Sequence, residues 1–120
     1  MHNFKELTVW KKAIDLSELV YRNTRQFPTD ERFGLTSQIR RAVVSVSANI
    51  AEGAGRKSDK EFLNFLSIAN GSCFELQSHI IISIRLEYIE KDIANEVLSL
   101  IIEIQKMIHA LSQKLKRELV

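Results

Sequence analysis

Apolar side chains return every third or fourth residue through four long stretches of this chain, and that rhythm leaves few folds open to it. Val9, Ala13, Leu16 and Val20 mark the first stretch, from about Leu7 to Gln26, with Trp10 beside the stripe. Leu35, Ile39, Val43, Val46 and Ile50 mark the second, from about Leu35 to Ala54. Phe62, Leu66, Ala69, Cys73, Leu76, Ile80 and Ile84 carry the third to about Tyr88. Ile93, Val97, Ile101, Ile104, Ile108, Leu111 and Leu115 carry the fourth to the C-terminus. Each reads as a helix with one core-facing stripe. One proline and four glycines in 120 residues are too little turn chemistry for a sandwich or barrel of short strands. Short connections make neighbouring helices antiparallel. The expected fold is therefore all-α, an antiparallel up-and-down four-helix bundle forming a single domain over residues 1–120.

Start and stop signals refine the boundaries. The first helix ends before Phe27-Pro28, because the residue preceding a proline is pushed out of the helical region. Thr29 or Asp30 is the expected cap of a short turn in FPTDERFG. Gly53 and Gly55 are expected to close the second helix in the left-handed conformation. Ser58-Asp59-Lys60-Glu61 has the form of a capping box. Gly71, with no proline near it, predicts a close helix contact. Asp92 is the expected cap of the last helix, whose end carries Lys114, Lys116 and Arg117, where the helix dipole favours cations.

Most familiar chemistry is missing. The net charge of +2 is far from a dedicated nucleic-acid binder, so any basic face has to come from local clustering. The lone Cys73 allows no internal disulfide and no multi-cysteine zinc site, and it reads as a small buried hydrophobe. Glu75 and His79 at four-residue spacing have no counterpart on another helix, so a carboxylate-bridged metal site is not expected. No Arg is followed, after four to six intervening residues, by a His, as in helical ribonuclease domains, and GAGRKS lacks the glycine spacing and preceding strand of a phosphate loop. No cofactor, no metal and no enzymatic activity are expected. The N-terminus has no signal-peptide core and no apolar run is long enough for a membrane, so a cytoplasmic protein is expected.

Two polar features remain. Ser45, Asn49 and Glu52 share a face of the second helix, and Ser72, Glu75 and His79 form a comparable row on the third. These rows, set among Ala42, Ser47, Ala48, Ala51 and Ala54, predict a structural network of Ser45, Asn49, Glu52, Ser72 and Glu75 that fixes close helix packing. Basic residues cluster at Arg40-Arg41 and at Arg56, Lys57 and Lys60, the candidates for contact with a phosphate backbone. The third and fourth helices also carry more apolar surface than one bundle can hide: Ile80, Ile81, Ile82 and Ile84 point at several angles, as do Leu98, Leu100, Ile101, Ile102 and Ile104. That excess predicts self-association.

The segments FKELTVWKKAIDLSELVY and FPTDERFGLTSQIRRAVVSVSANIAEGAGRKSDKEFLNFLSIANGSCFEL resemble the bacterial four-helix bundle proteins named for reading frames in intervening sequences of 23S ribosomal RNA genes. The matching positions are Phe4, Leu7, Trp10, Phe27, Pro28, Glu31, Leu35, Gln38, Arg40, Arg41, Ser45, Asn49, Ile50, Glu52, Gly53, Ser72 and Glu75. The chain is also similar to the accessory protein of diversity-generating retroelements, a strongly basic pentameric bundle that works with a reverse transcriptase and binds nucleic acid. The resemblance implies a homopentameric ring, with RNA, a reverse transcriptase or another protein as partner, and it brings no catalytic residues. A protein-binding scaffold without nucleic acid is the alternative it leaves open.

Overall fold

The structure, a computed structural model, describes residues 1–119. Four α-helices wind round one apolar core: α1 (Thr8–Asn23), α2 (Leu35–Ala54), α3 (Asp59–Arg85) and α4 (Lys91–Glu118). Short 3-10 turns at Phe4–Glu6 and Thr29–Glu31 precede α1 and α2, and there is no strand among the described residues. Each helix packs against its chain neighbours, and α4 closes the circle onto α1. The result is a rod of 49 × 23 × 20 Å. The α1–α2 and α3–α4 connections lie at one end, and the α2–α3 turn lies at the other.

The predicted stripes are the core. Leu16, Ile39, Val43, Val46, Ile50, Leu66, Leu76, Val97, Ile101 and Ile104 are buried completely. Burying each large aliphatic side chain contributes about 1.5–3 kcal/mol against leaving it in water. Leu35, Ile84, Ile93 and Leu111, at the stripe ends, are half-buried and pack against this core.

Several boundaries differ from expectation, each for a local reason. α1 stops at Asn23, because the buried Thr24 turns its hydroxyl back onto the Val20 carbonyl at 2.9 Å, and Phe27 donates its amide to the Thr24 carbonyl. The Thr29–Glu31 turn starts from Pro28 with no side-chain cap, so neither Thr29 nor Asp30 caps it. α2 is started instead by Glu31, whose carboxylate accepts the Leu35 amide at 3.1 Å. Asp92 lies inside the first turn of α4, where its charge suits the dipole; the cap position is Glu90, which makes no side-chain bond. The Ser58 cap stands, accepting the Glu61 amide at 3.2 Å, but its hydroxyl donates to the Glu61 carboxylate, so the return arm meets the hydroxyl.

The close contact predicted for Gly71 falls to Gly53, and Gly55 ends α2 without the left-handed conformation. No glycine takes a positive φ, and Gly55 ends α2 at φ −82. Gly53 lies within α2 as the close helix contact: a Cβ there would meet the Phe65 Cβ at 2.6 Å and the Phe62 ring at 2.9 Å. Around Gly71, by contrast, a Cβ would meet nothing within 4 Å.

The left-handed closure occurs at Glu87, φ 61, where α3 ends. The Glu87 amide bonds the Ile84 carbonyl at 3.0 Å and the Tyr88 amide bonds the Ser83 carbonyl at 2.9 Å, the Schellman pattern. An L side chain pays about 1 kcal/mol there that glycine does not. Glu87→Gly is therefore expected to raise stability by about that much, seen as a higher urea midpoint at unchanged slope. A midpoint that falls would mean the Glu87 side chain makes contacts worth more than the strain.

Candidate nucleic-acid interface

The two basic groups predicted from sequence occupy opposite ends of α2. Arg40-Arg41 and Arg56-Lys57 lie about 24 Å apart at a helical rise of about 1.5 Å per residue. At the α2–α3 end, Arg56 is spent locally: its guanidinium donates to Glu52 Oε1 at 2.9 Å and lies 4.8 Å over the Phe65 ring. Lys57 and Lys60 are exposed, with no ion pair among the described residues. Asp59 beside them is engaged by His2, whose Nε2 lies 2.9 Å from Asp59 Oδ1. The His2 amide bonds the Ala54 carbonyl at 2.7 Å, and its ring packs on Phe62, so the N-terminal segment seals this end.

The α1–α2 end is different. Tyr21 from the last turn of α1, Arg32 and Phe33 from the connector, and Arg40, Arg41 and Val44 from α2 line one open depression of about 730 Å³. Arg25 and Arg32 flank an adjoining depression whose floor is Phe27, Pro28 and Thr36. Arg40 is partly structural: its Nε donates to the Thr24 hydroxyl at 3.1 Å and its Nη2 to the Tyr21 carbonyl at 3.5 Å, at the negative end of the α1 dipole. Its guanidinium lies 4.6 Å over the Tyr21 ring, and that of Arg32 lies 5.2 Å from the Phe33 ring. Arg25, Arg32, Arg40 and Arg41 make no ion pair among the described residues. Of the nearby acids, Glu31 is engaged by the Leu35 amide and by the Tyr88 hydroxyl at 3.0 Å, which leaves Asp30 on the exposed side of the turn. The hydrogen bond to the Glu31 carboxylate holds the Tyr88 phenol above its usual range. Phe33 is 87% exposed.

Sequence reasoning named Arg40 and Arg41 as candidates, saw Arg25 only as a basic neighbour of Arg22, and missed Arg32, Tyr21 and Phe33. The connector that delivers Arg32 and Phe33 reads as a plain turn, and only the antiparallel fold-back sets it against α1.

The predicted polar network divides. Ser45 and Ser72 share a hydrogen bond at 2.8 Å, and the Asn49 amide donates to the Ser45 carbonyl and hydroxyl at 2.8 and 2.9 Å. The Ser45–Ser72 bond pins α2 against α3, and Asn49 holds the Ser45 hydroxyl from within α2. Glu52 and Glu75 do not join them: Glu52 pairs with Arg56, and Glu75 with His79 at 3.2 Å. Measured from the Ser45–Ser72 contact along antiparallel helices, the two carboxylates are about 15 Å apart. A matching network that sequence reasoning missed pins α3 against α4. There Gln77 donates to Gln105 at 2.6 Å and Gln105 donates to Asn70 at 3.1 Å. Its members look like ordinary surface amides until the register is known.

No three His, Cys, Asp or Glu side chains gather in metal-holding geometry among the described residues. Burial pushes the Cys73 thiol up to about 12, which keeps it protonated and unreactive at neutral pH. Among the described residues no helix is long and apolar enough to cross a membrane.

The excess apolar surface falls on α3 and α4. Ile80, Ile101 and Ile104 are buried, whereas Ile68, Phe74, Ile81, Ile82, Leu86 and Ile102 are 43–59% exposed. The Gln77–Gln105 bond sets the register, which places Phe74, Ile81 and Ile102 within a turn of that bond along the α3–α4 seam.

No curated protein matches the chain in sequence. Among solved structures it is similar to a protein of unknown function from the S23 ribosomal protein family of Bacteroides thetaiotaomicron. The two are 24% identical with a TM-score of 0.81, over 88% of this chain and 95% of that one, which establishes a shared bundle fold. The family model described as 23S rRNA-intervening sequence protein matches residues 5–110, nearly the whole of the bundle, and the chain belongs to that family.

Proposed function

We propose that this protein is a non-catalytic, self-associating bundle that binds RNA, or an RNA–protein particle, through its arginine-rich α1–α2 corner. One observation carries the reading: Arg32, Arg40 and Arg41 line a depression that also holds two exposed aromatic rings, Arg25 lines the adjoining one, and none of the four has an ion-pair partner among the described residues. The family's description, which refers to intervening sequences of 23S rRNA, favours RNA as the anion. A ring of copies, a pentamer by the resemblance, would repeat the corner round one axis and sum modest charges into a field able to hold a phosphate backbone. Glu52 and Glu75 point to separate local pairs, which favours a role without catalysis.

Filter binding against a structured RNA in rising salt tests the reading. Affinity is expected to fall linearly with log salt, and Arg41→Gln to lower the slope by about one counterion. Absent affinity at low salt, or affinity indifferent to salt, overturns it.

The exposed Phe74, Ile81 and Ile102 strip favours a second reading, a scaffold for another protein such as a reverse transcriptase. A partner retained after nuclease treatment, with no RNA affinity, would replace the first reading with this one.

A further inference from the structure

We infer that the α1–α2 corner is a single-strand site, in which an unpaired base stacks on Phe33 and its neighbouring phosphates lie on Arg32 and Arg41. The inference rests on the RNA-binding reading and adds the state of the RNA that the corner accepts.

The aromatic rings carry the argument. Phe33 is 87% exposed and has no part in the core, so nothing in the bundle accounts for a large apolar ring there. Beside it, Arg32 lies 5.2 Å from the ring centre, and across the depression Arg40 covers Tyr21 at 4.6 Å. Alternating aromatic and guanidinium planes are what a splayed base meets in single-strand sites, because every base offers a π face. A duplex keeps those faces stacked inside, out of reach of an aromatic ring.

The rest of the lining agrees. Val44 is the one aliphatic residue of the depression, which is poor ground for the apolar anchors of an amphipathic peptide helix. Ser37 and Ser45 add hydroxyls along the rim. Thr36, 8% exposed, lines both depressions, and its Oγ1 has no hydrogen-bond partner among the described residues. That hydroxyl sits where a small movement would offer it to a phosphate or a base edge. Arg32 and Arg41 supply the charge, since Arg40 is already tied to Thr24 and Tyr21.

The test is fluorescence anisotropy with a labelled oligoadenylate of about 12 nucleotides, within the site sizes of single-strand binders, and with the same oligonucleotide annealed to its complement. The single strand is expected to bind at least about tenfold more tightly than the duplex, and Phe33→Ala to weaken it about ten- to a hundredfold while leaving the duplex unchanged. Because Phe33 is outside the core, that variant is expected to keep the wild-type urea midpoint. Equal affinity for both RNAs, with Phe33→Ala silent, overturns the inference and leaves RNA binding standing. Failure of wild type to bind either RNA overturns both. If Phe33→Ala leaves RNA binding intact but dissociates the oligomer in light scattering, the inference is overturned and the ring belongs to an interface between copies.

Discussion

Gly53→Val is expected to cost about 3 kcal/mol of folding stability, although it adds apolar atoms at a buried position. The position is helical with no positive φ, so the loss is not conformational. It comes from α3. A Cβ at residue 53 would lie 2.6 Å from the Phe65 Cβ and 3.3 Å from its Cγ, and 2.9 Å from the Phe62 ring. A ring tip could swing aside, but the Phe65 Cβ is fixed to the α3 backbone. Relief therefore requires the two helices to separate, which loosens the Ser45–Ser72 bond along the same seam. Gly53→Ala regains about 1 kcal/mol through helix propensity and is expected to lose less than the valine. Gly71→Ala is the internal control: with open space around its Cβ it is expected to gain about 1 kcal/mol from the same propensity. Urea midpoints of the three variants check the order. A Gly53→Val midpoint equal to wild type would mean the α2–α3 seam yields freely.

The contrast between Gly53 and Gly71 shows where the sequence is readable and where it is not. Helical periodicity assigns an angle to each residue, and the four stripes were legible because Val9, Ile39, Leu66 and Ile101 face inward whatever their partners are. Periodicity does not say what stands opposite. Gly53 touches α3 because Phe62 and Phe65 arrive there after the Ser58 turn, while Gly71 faces outward beside Phe74. Glu87 was unreadable for a related reason: left-handed closure is a glycine signal, and here the Schellman bonds at Ser83 and Ile84 hold a glutamate in that conformation. The polar rows were legible as faces but not as networks. Ser45 met Ser72 because both lie at the seam, Asn49 reached Ser45 from the next turn of α2, and Glu52 and Glu75 each paired four residues along the chain, with Arg56 and His79. The candidate site was half legible. Arg40 and Arg41 stand out as a pair, but Arg32 and Phe33 gain meaning only when the Pro28 connector folds them against Tyr21.

Phe74→Asp combined with Ile81→Asp is expected to reduce a self-associated assembly to 13.8 kDa chains, in size-exclusion chromatography with light scattering. The helical content should be unchanged. Both side chains are about half exposed in the single chain, 59% and 45%, so the folded bundle loses little when they become polar. An interface built on them loses much more, because each substitution removes an apolar anchor and leaves a carboxylate to be desolvated without a partner. At about 2 kcal/mol for each anchor, the pair weakens association by about a thousandfold. The choice of this seam over the α1–α2 corner follows from chemistry: Phe74, Ile81 and Ile102 lie beside a side-chain hydrogen bond already satisfied within the chain, and the three side chains themselves carry no charge. The corner carries four arginines, and apposing two copies there would set like charges together. Wild-type protein that runs as a single chain, or a double variant that still assembles, overturns the assignment of the α3–α4 seam. A double variant that becomes monomeric and keeps its affinity for one oligonucleotide but loses it for a long RNA would show that the corners act together only when the seam holds them in one ring.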